Sequence, residues 1–245
     1  GSLGKKLPKT LLAVQGKPIL WYIIQTLKKY KFNHFILPLG YKGNKIKNYI
    51  KKNKYLYTKI DLINTGVNTN IGKRIFKIKD KILSESFLIL NGDAIFDFNI
   101  KKIFENHLKN NIDNTFISNE YTYPFGTIGF INSRVIDFHR NLKYDAIKVR
   151  NSNKYTAFNY SGVSIMKTKF LKKFNFKFKD SKNFELSLYP FLIKNFKTNL
   201  VKLKGIWNSI DNIKDYNVVN QKNISVFNFN KLKKLKYLLK KNEKK

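Results

Sequence analysis

Phe87-Leu88-Ile89-Leu90-Asn91-Gly92-Asp93 is a run of four apolar residues stopped by a polar turn. A strand that is apolar at every residue is buried on both faces, as central strands of a parallel sheet are, whereas a half-exposed strand alternates. Upstream, Phe35-Ile36-Leu37-Pro38-Leu39 is a second such strand, closed by Gly40, and Ile60-Asp61-Leu62-Ile63 is a third. Between them the apolar spacing becomes helical: over residues 19–30, where Pro18 occupies a position that a first helical turn tolerates, and again over 45–52 and 73–82. Strands alternating with helices predict βαβ units and an α/β sheet. Ligands of such sheets bind beyond the carboxyl ends of strands, which is where Asn91, Gly92 and Asp93 fall.

Beyond residue 112 the pattern turns β-rich, with strands predicted at Thr115 to Ser118, Thr127 to Ile131 and Val163 to Met166. Pro124-Phe125-Gly126 and Asn151-Ser152-Asn153 are turn signals between them. No linker rich in Gly, Ser or Pro divides the two regions. The expectation is one domain over 1–245, with a ligand-binding first half (1–111), a β-rich second half (112–222) and a basic C-terminal helix (223–245). In that tail Leu232, Leu235, Leu238 and Leu239 recur at helical spacing among lysines. Its apolar face is short, so docking on the body or on a neighbouring subunit is expected rather than membrane attachment.

The 245 residues are 42% hydrophobic, which argues for a globular rather than a disordered chain. No apolar run approaches the roughly 20 residues of a membrane span, and no signal peptide is visible. Without cysteine there is neither a disulfide framework nor a thiolate metal site. A soluble cytoplasmic protein is expected. The formal net charge of +34 would suit a nucleic-acid binder. Yet arginine occurs only at 74, 134, 140 and 150, while Lys, Asn, Ile, Phe and Tyr are abundant together and Ala is scarce. That joint skew is what an AT-rich genome produces, and lysine lacks the bidentate fork that nucleic-acid recognition favours. Neither a nucleic-acid nor a membrane partner is expected. A field of this sign still attracts a triphosphate.

At the N-terminus Gly4-Lys5-Lys6-Leu7, Pro8-Lys9-Thr10 and Gly16-Lys17-Pro18-Ile19 follow one another. Asn64-Thr65-Gly66-Val67-Asn68-Thr69-Asn70-Ile71-Gly72-Lys73-Arg74 forms a second polar, glycine-containing loop, which by itself could also be an ordinary turn. These stretches resemble the sugar-phosphate nucleotidyltransferases. The loop at 64–74 is similar to that of glucose-1-phosphate cytidylyltransferases. The resemblance implies a Rossmann-like, mixed and mainly parallel sheet flanked by helices, CTP as donor and Mg²⁺ as cofactor. It implies nucleotide contacts at Gly1, Ser2, Gly4, Thr65, Gly66, Thr69, Gly72, Arg74, Asn91 and Gly92. Physically, threonine hydroxyls at a helix start can read the edge of a base, and glycines permit close approach. Lys6 stands where the family has arginine, and the family's apolar strand before this loop is not in the chain. A native N-terminal segment is therefore expected to precede Gly1.

Asp93 and Asp211 correspond to the family's metal-binding aspartates, which implies that they hold the ion. Read alone, Asp93 could be a strand-end turn residue and Asp211 a cap for a helix over 212–220. His34, His107 and His139 form no ligand motif and are expected at the surface. No nucleophilic Ser or Cys arrangement is visible, and none is needed: an acceptor phosphate is largely a dianion at neutral pH. Lys6 is assigned to the departing pyrophosphate and Lys9 to the α-phosphate and incoming phosphate.

For the acceptor, Gly126, Asn159, Ser161, Gly162 and Glu185 answer family positions. The Glu-Lys-Pro that sugar enzymes carry is absent: Phe138 is followed by His139-Arg140-Asn141. Arg140 is the favoured replacement cation over Lys143 and Lys148, although all three could be solvated surface charges. This departure favours phosphoglutamine over glucose 1-phosphate as acceptor, in cytidylyltransferases that serve capsule or surface polysaccharide synthesis. Relatives commonly self-associate, so a homo-oligomer is allowed for.

Overall fold

The computed structural model describes residues 4, 6–53, 59–122, 125–140, 142–144, 146–148, 156–173 and 184–221. Gly1, Ser2 and the tail helix expected over 223–245 lie outside them. In chain order the elements begin with β1 (Ala13–Val14), β2 (Lys17–Pro18), α1 (Ile19–Lys29), β3 (His34–Leu39), α2 (Gly43–Lys52), β4 (Lys59–Asn64) and α3 (Ile71–Ile78). They continue through β5 (Ser86–Leu90), β6 (Ala94–Phe98), α4 (Ile100–Lys109), β7 (Asn114–Asn119), β8 (Tyr121–Thr122), β9 (Gly126–Ile131) and β10 (Arg134–Arg140). β11 (Lys143–Tyr144), β12 (Ile147–Lys148), β13 (Thr156–Ala157), β14 (Asn159–Lys167), α5 (Thr168–Lys173) and α6 (Phe184–Asn195) follow. β15 (Thr198–Lys202), β16 (Gly205–Ser209) and α7 (Ile213–Asn220) complete the order.

The apolar run 87–90 becomes β5, at one end of a four-stranded sheet of order β15-β7-β14-β5. β14 lies antiparallel to β5, with Val163 opposite Leu90, and antiparallel to β7, while β15 runs parallel to β7. β3 and β4 form a parallel pair of their own, His34 opposite Lys59 through Leu39 opposite Asn64. Two cores sandwich these strands. One gathers Ile23, Ile24 and Leu27 of α1 with Ile95 and Phe96 of β6, and Leu37, Leu88 and Leu90 pack against it. The other gathers Ile75, Phe170, Leu171, Leu188 and Leu192, and Ile36, Phe87 and Ile89 pack against it. Alternate residues of β3 and β5 thus serve opposite cores, which is why neither strand alternates in polarity.

The helix expected over 73–82 is α3, followed by a single 3-10 turn at Lys79–Lys81. It starts two residues earlier because the Asn70 side chain accepts from the Lys73 backbone N–H at 2.9 Å and caps it. Asp211 does not cap α7. Asn212 does, accepting from the Lys214 and Asp215 N–H groups, while Asp215 accepts from the Asn212 N–H in return. His107 is not at the surface: it is 1% exposed, with Nδ1 2.9 Å from the Thr115 hydroxyl. Among the described residues no helix is long and apolar enough to cross a membrane.

Candidate active site

β5 ends at Leu90, and the turn Asn91-Gly92-Asp93 leads straight into β6. β6 pairs antiparallel with β16, Ala94 opposite Ser209, and the Ile210 N–H donates to the Asp93 carbonyl at 2.9 Å. That ladder brings Asp211 beside Asp93 across more than a hundred residues of sequence. The Lys9 ammonium lies between them, 3.6 Å from Asp93 Oδ2 and 3.5 Å from Asp211 Oδ1. Lys9 is delivered by the 3-10 turn Lys9–Leu11, whose hydrogen bonds begin at Pro8. Two carboxylates that reach one ammonium converge on a point where a cation can be held.

A cleft of about 300 Å³ opens beside this trio, lined by Lys9, Thr10, Gly40, Arg74, Gly92 and Asp93 among others. Gly92 is required by space: a Cβ there would lie 2.6 Å from the Thr10 methyl carbon. A Cβ at Gly40 would lie 2.2 to 2.5 Å from three atoms of the Arg74 guanidinium, so a side chain there would displace Arg74. Arg74 Nη1 donates to the Thr65 hydroxyl at 2.6 Å and Nη2 to the Val67 carbonyl at 3.2 Å. Its partial burial lowers the guanidinium pKa from the ordinary value without discharging it.

The loop at 64–74 is braced from within. Thr65 is buried, its hydroxyl donating to the Leu39 carbonyl at 2.7 Å while accepting from Arg74. The Thr69 hydroxyl donates to the Thr65 carbonyl at 2.6 Å, and Lys77 Nζ donates to the same carbonyl at 2.7 Å. Both threonine hydroxyls are thus committed to the loop, and Arg74 is its side chain that lines the cleft. Gly66 adopts φ +95°, which its Asx-type bond to Asn64 Oδ1 accompanies, and Gly72 is buried in α3. Gly4 sits in the N-terminal turn ahead of Lys6. Lys6 is exposed and does not line the cleft; its carbonyl accepts from Lys45 Nζ at 2.9 Å, which ties the turn to α2.

Of the acceptor residues, Ser161 and Gly162 adjoin the turn at 91–93. A bulge in β14 between Tyr160 and Val163 puts Gly162 at φ +76°, and its carbonyl accepts from the Asn91 N–H at 3.0 Å. A Cβ on Gly162 would lie 2.7 Å from the Asn91 amide nitrogen. The buried Ser161 hydroxyl donates to the Ile117 carbonyl at 2.7 Å, and Trp207 Nε1 donates to the Ser161 carbonyl at 2.9 Å. Asn159 donates to the Asn119 side-chain oxygen at 2.8 Å. Gly126 and Arg140 face each other at the open end of the exposed β9–β10 hairpin, with the Phe138 ring over Gly126. Glu185 lies in the first turn of α6, near the hydrogen-bonded hydroxyls of Tyr160 and Tyr189. None of these residues lines the cleft beside Lys9. Thr10, Gly40 and Lys45 were not among the expected site residues, although Thr10 sits inside the Pro8-Lys9-Thr10 motif.

A family model described as "Nucleotidyl transferase" matches residues 2–141. A curated relative in Bacillus subtilis (strain 168), "Probable glucose-1-phosphate cytidylyltransferase", is 30% identical over 161 residues, which cover 58% of this chain and 63% of that protein. "D-glycero-alpha-D-manno-heptose 1-phosphate guanylyltransferase" of Aneurinibacillus thermoaerophilus is 32% identical over 148 residues, 56% of this chain and 64% of that one. The chain thus matches just under two thirds of the length of these relatives. The crystal structure of HddC from Yersinia pseudotuberculosis has the same fold, with a TM-score of 0.67 at 22% identity, covering 90% of this chain and 92% of that one. With the family match spanning more than half its length, this chain belongs to the nucleotidyl transferase family.

Proposed function

We propose that the protein transfers CMP from CTP to a small phosphorylated acceptor and releases pyrophosphate. The observation that carries the reading is Lys9 held between Asp93 and Asp211 at a strand end, next to a cleft that Arg74 also lines. The two carboxylates fit Mg²⁺, which takes oxygen ligands from one or two carboxylates plus substrate phosphates. When bound there, the ion would offset charge on the triphosphate.

The chain's own residues do the rest by position and charge. An acceptor phosphate oxygen forms a bond to the α-phosphorus while the bond to pyrophosphate breaks, and the dianion needs no general base. Lys9 meets the α-phosphate and the incoming phosphate. Lys6, in the turn fastened by Lys45, meets the departing pyrophosphate, and the Gly4 turn supplies backbone N–H groups. Arg74 and its braced loop favour cytosine. Mixing CTP, UTP and ATP in competition tests this: kcat/KM should be highest for CTP, and equal values for all three would remove the cytidylyl assignment.

For the acceptor, the absence of Glu-Lys-Pro after Phe138 supports phosphoglutamine, and hence a CDP-activated precursor for capsule or surface polysaccharide. The names of the cytidylyl and heptose relatives favour a sugar 1-phosphate as the second reading. Incubating the protein with CTP, Mg²⁺ and either phosphoglutamine or glucose 1-phosphate, and measuring pyrophosphate, separates the two. Release with glucose 1-phosphate alone would overturn the first.

A further inference from the structure

Asp93 and Asp211 are held in different ways. Asp93 sits between β5 and β6, in a turn that the Asn91–Gly162 bond also holds, and its side chain is 31% exposed. Asp211 lies between the end of β16 at Ser209 and the start of α7 at Ile213, and its side chain is 63% exposed. A carboxylate with so little packed around it takes its place from its backbone. The Ile210 N–H is fixed on the Asp93 carbonyl. One residue later the β6–β16 ladder no longer acts, so another contact must set Asp211.

Asp215 supplies that contact. Its Oδ2 accepts from the Asp211 N–H at 2.9 Å and from the Asn212 N–H at 3.1 Å. The second bond belongs to the capping box of α7, whereas the first reaches one residue further back than that box requires. Bonds to a charged acceptor are the stronger kind. Among the described residues no three carboxylate or imidazole groups come together to hold a metal ion, so Asp215 is not a third ligand. It acts through Asp211. The far end of α7 is moored as well. The Gln15 N–H donates to Asn220 Oδ1 at 2.6 Å, and Gln15 Nε2 donates to the Val219 and Gln221 carbonyls, each at 3.1 Å. Carbonyls at a helix end have no partner within the helix, so these bonds close it. The Tyr216 hydroxyl donates to the Ala13 carbonyl at 2.8 Å. Ala13 and Gln15 lie just beyond the 3-10 turn that delivers Lys9.

We propose that Asp215 is a positioning residue for the cation. From a helix that Gln15 and Tyr216 fasten to the Lys9 segment, it holds the Asp211 backbone so that the Asp211 carboxylate meets the point it shares with Asp93. This rests on the reading of Asp93 and Asp211 as the Mg²⁺ site, and on neither the base nor the acceptor. Groups that orient a metal ligand from behind typically contribute about 10- to 100-fold in metal affinity.

Mn²⁺ alone, titrated into the protein and followed by loss of its free electron paramagnetic resonance signal, reads the site without nucleotide or turnover. Asp215→Ala should weaken Mn²⁺ binding about 10-fold or more. Asp215→Asn keeps an oxygen that can accept from both N–H groups, and should stay within about threefold of the parent. Asn212→Ala removes the bonds from the Lys214 and Asp215 N–H groups but leaves that of Asp211. It should lower the melting temperature and keep Mn²⁺ binding within about threefold of the parent. Should Asp215→Ala not fold by circular dichroism, Asp215→Ser takes its place, because its shorter side chain draws back from both N–H groups. Parent-like Mn²⁺ binding in that variant overturns the proposal. An equal loss in Asn212→Ala also overturns it, since the effect would be one of helix stability, and an equal loss in Asp215→Asn would make it one of charge. Asp211→Asn separates the two readings. If it weakens Mn²⁺ while Asp215→Ala does not, the positioning role alone is lost. If it leaves Mn²⁺ binding unchanged, the cation site is lost and the positioning role with it.

Discussion

Gly40→Ala tests how the Arg74 loop is built. The backbone at Gly40 is not in the left-handed region, so alanine brings a methyl group and no conformational strain. That methyl would sit 2.2 Å from Nη2, 2.3 Å from Nη1 and 2.5 Å from Cζ of Arg74. Comfortable contact needs about 3.5 Å, so the guanidinium must withdraw by about 1 Å or more. It then loses its bonds to the Thr65 hydroxyl and the Val67 carbonyl. Hydrogen bonds from a charged donor contribute about 1.5–3 kcal/mol each when well formed, and less where water can replace the partner. Since Arg74 is only half-buried, a total cost of about 1–3 kcal/mol is expected. Arg74→Ala should cost about the same, for the same bonds are lost. In the double variant the methyl meets empty space, so Gly40→Ala should add almost nothing. Urea unfolding of the four proteins gives the coupling, expected at about 1–3 kcal/mol. Effects that add to within about 0.5 kcal/mol would refute the account.

Three further outcomes are expected, that for Arg140 resting on the sequence alone. Asp93→Asn should lower turnover by about 100-fold or more with the fold intact by circular dichroism, and turnover within about threefold of the parent would remove Asp93 from the mechanism. Arg140→Ala should raise the KM for the acceptor and leave that for CTP nearly unchanged; equal damage to both would deny Arg140 a selective role. Burial, aided by the nearby Lys167 charge, pushes the His107 imidazole below its ordinary 6.5. The unfolded chain therefore takes up that proton first, so the contribution of His107 is fully present above about pH 6.5 and is lost as pH falls toward the folded value. His107→Gln should flatten the fall in unfolding free energy between about pH 7 and 5, and identical slopes for the two proteins would contradict this.

The strand 87–90 and the carboxylate at its end were legible because an all-apolar run has few other readings. Helices α1 and α2 were legible for the same kind of reason: spacing and Pro18 are local signals. Asp211 joins Asp93 through the β6–β16 ladder, and no local pattern announces an antiparallel pairing between residues so far apart. Thr65 and Thr69 read as ligand contacts because a hydroxyl beside glycine suits a base edge as well as it suits a loop carbonyl. Only the position of Leu39, brought alongside by β3–β4 pairing, shows where the Thr65 hydroxyl goes. His107 lies on a helix whose charged neighbours suggest solvent, and its burial comes from β7 through Thr115. Asp211 and Asn212 are adjacent residues of equal capping propensity, so sequence alone does not choose between them.

The bond from Asn91 to the Gly162 carbonyl has a bearing on how such a protein can diversify. It ties the Asn91-Gly92-Asp93 turn to the bulge of β14, where the positive φ of Gly162 and the Asn91 side chain leave little place for a side chain. Ser161 and Trp207 lock the same spot from the other side. A lineage descended from this chain could not alter that seam without also disturbing the turn that carries Asp93. Innovation is channelled outward, to the exposed β9–β10 hairpin and the segments beside it. There, substitutions can accumulate while the turn that carries Asp93 is inherited unchanged.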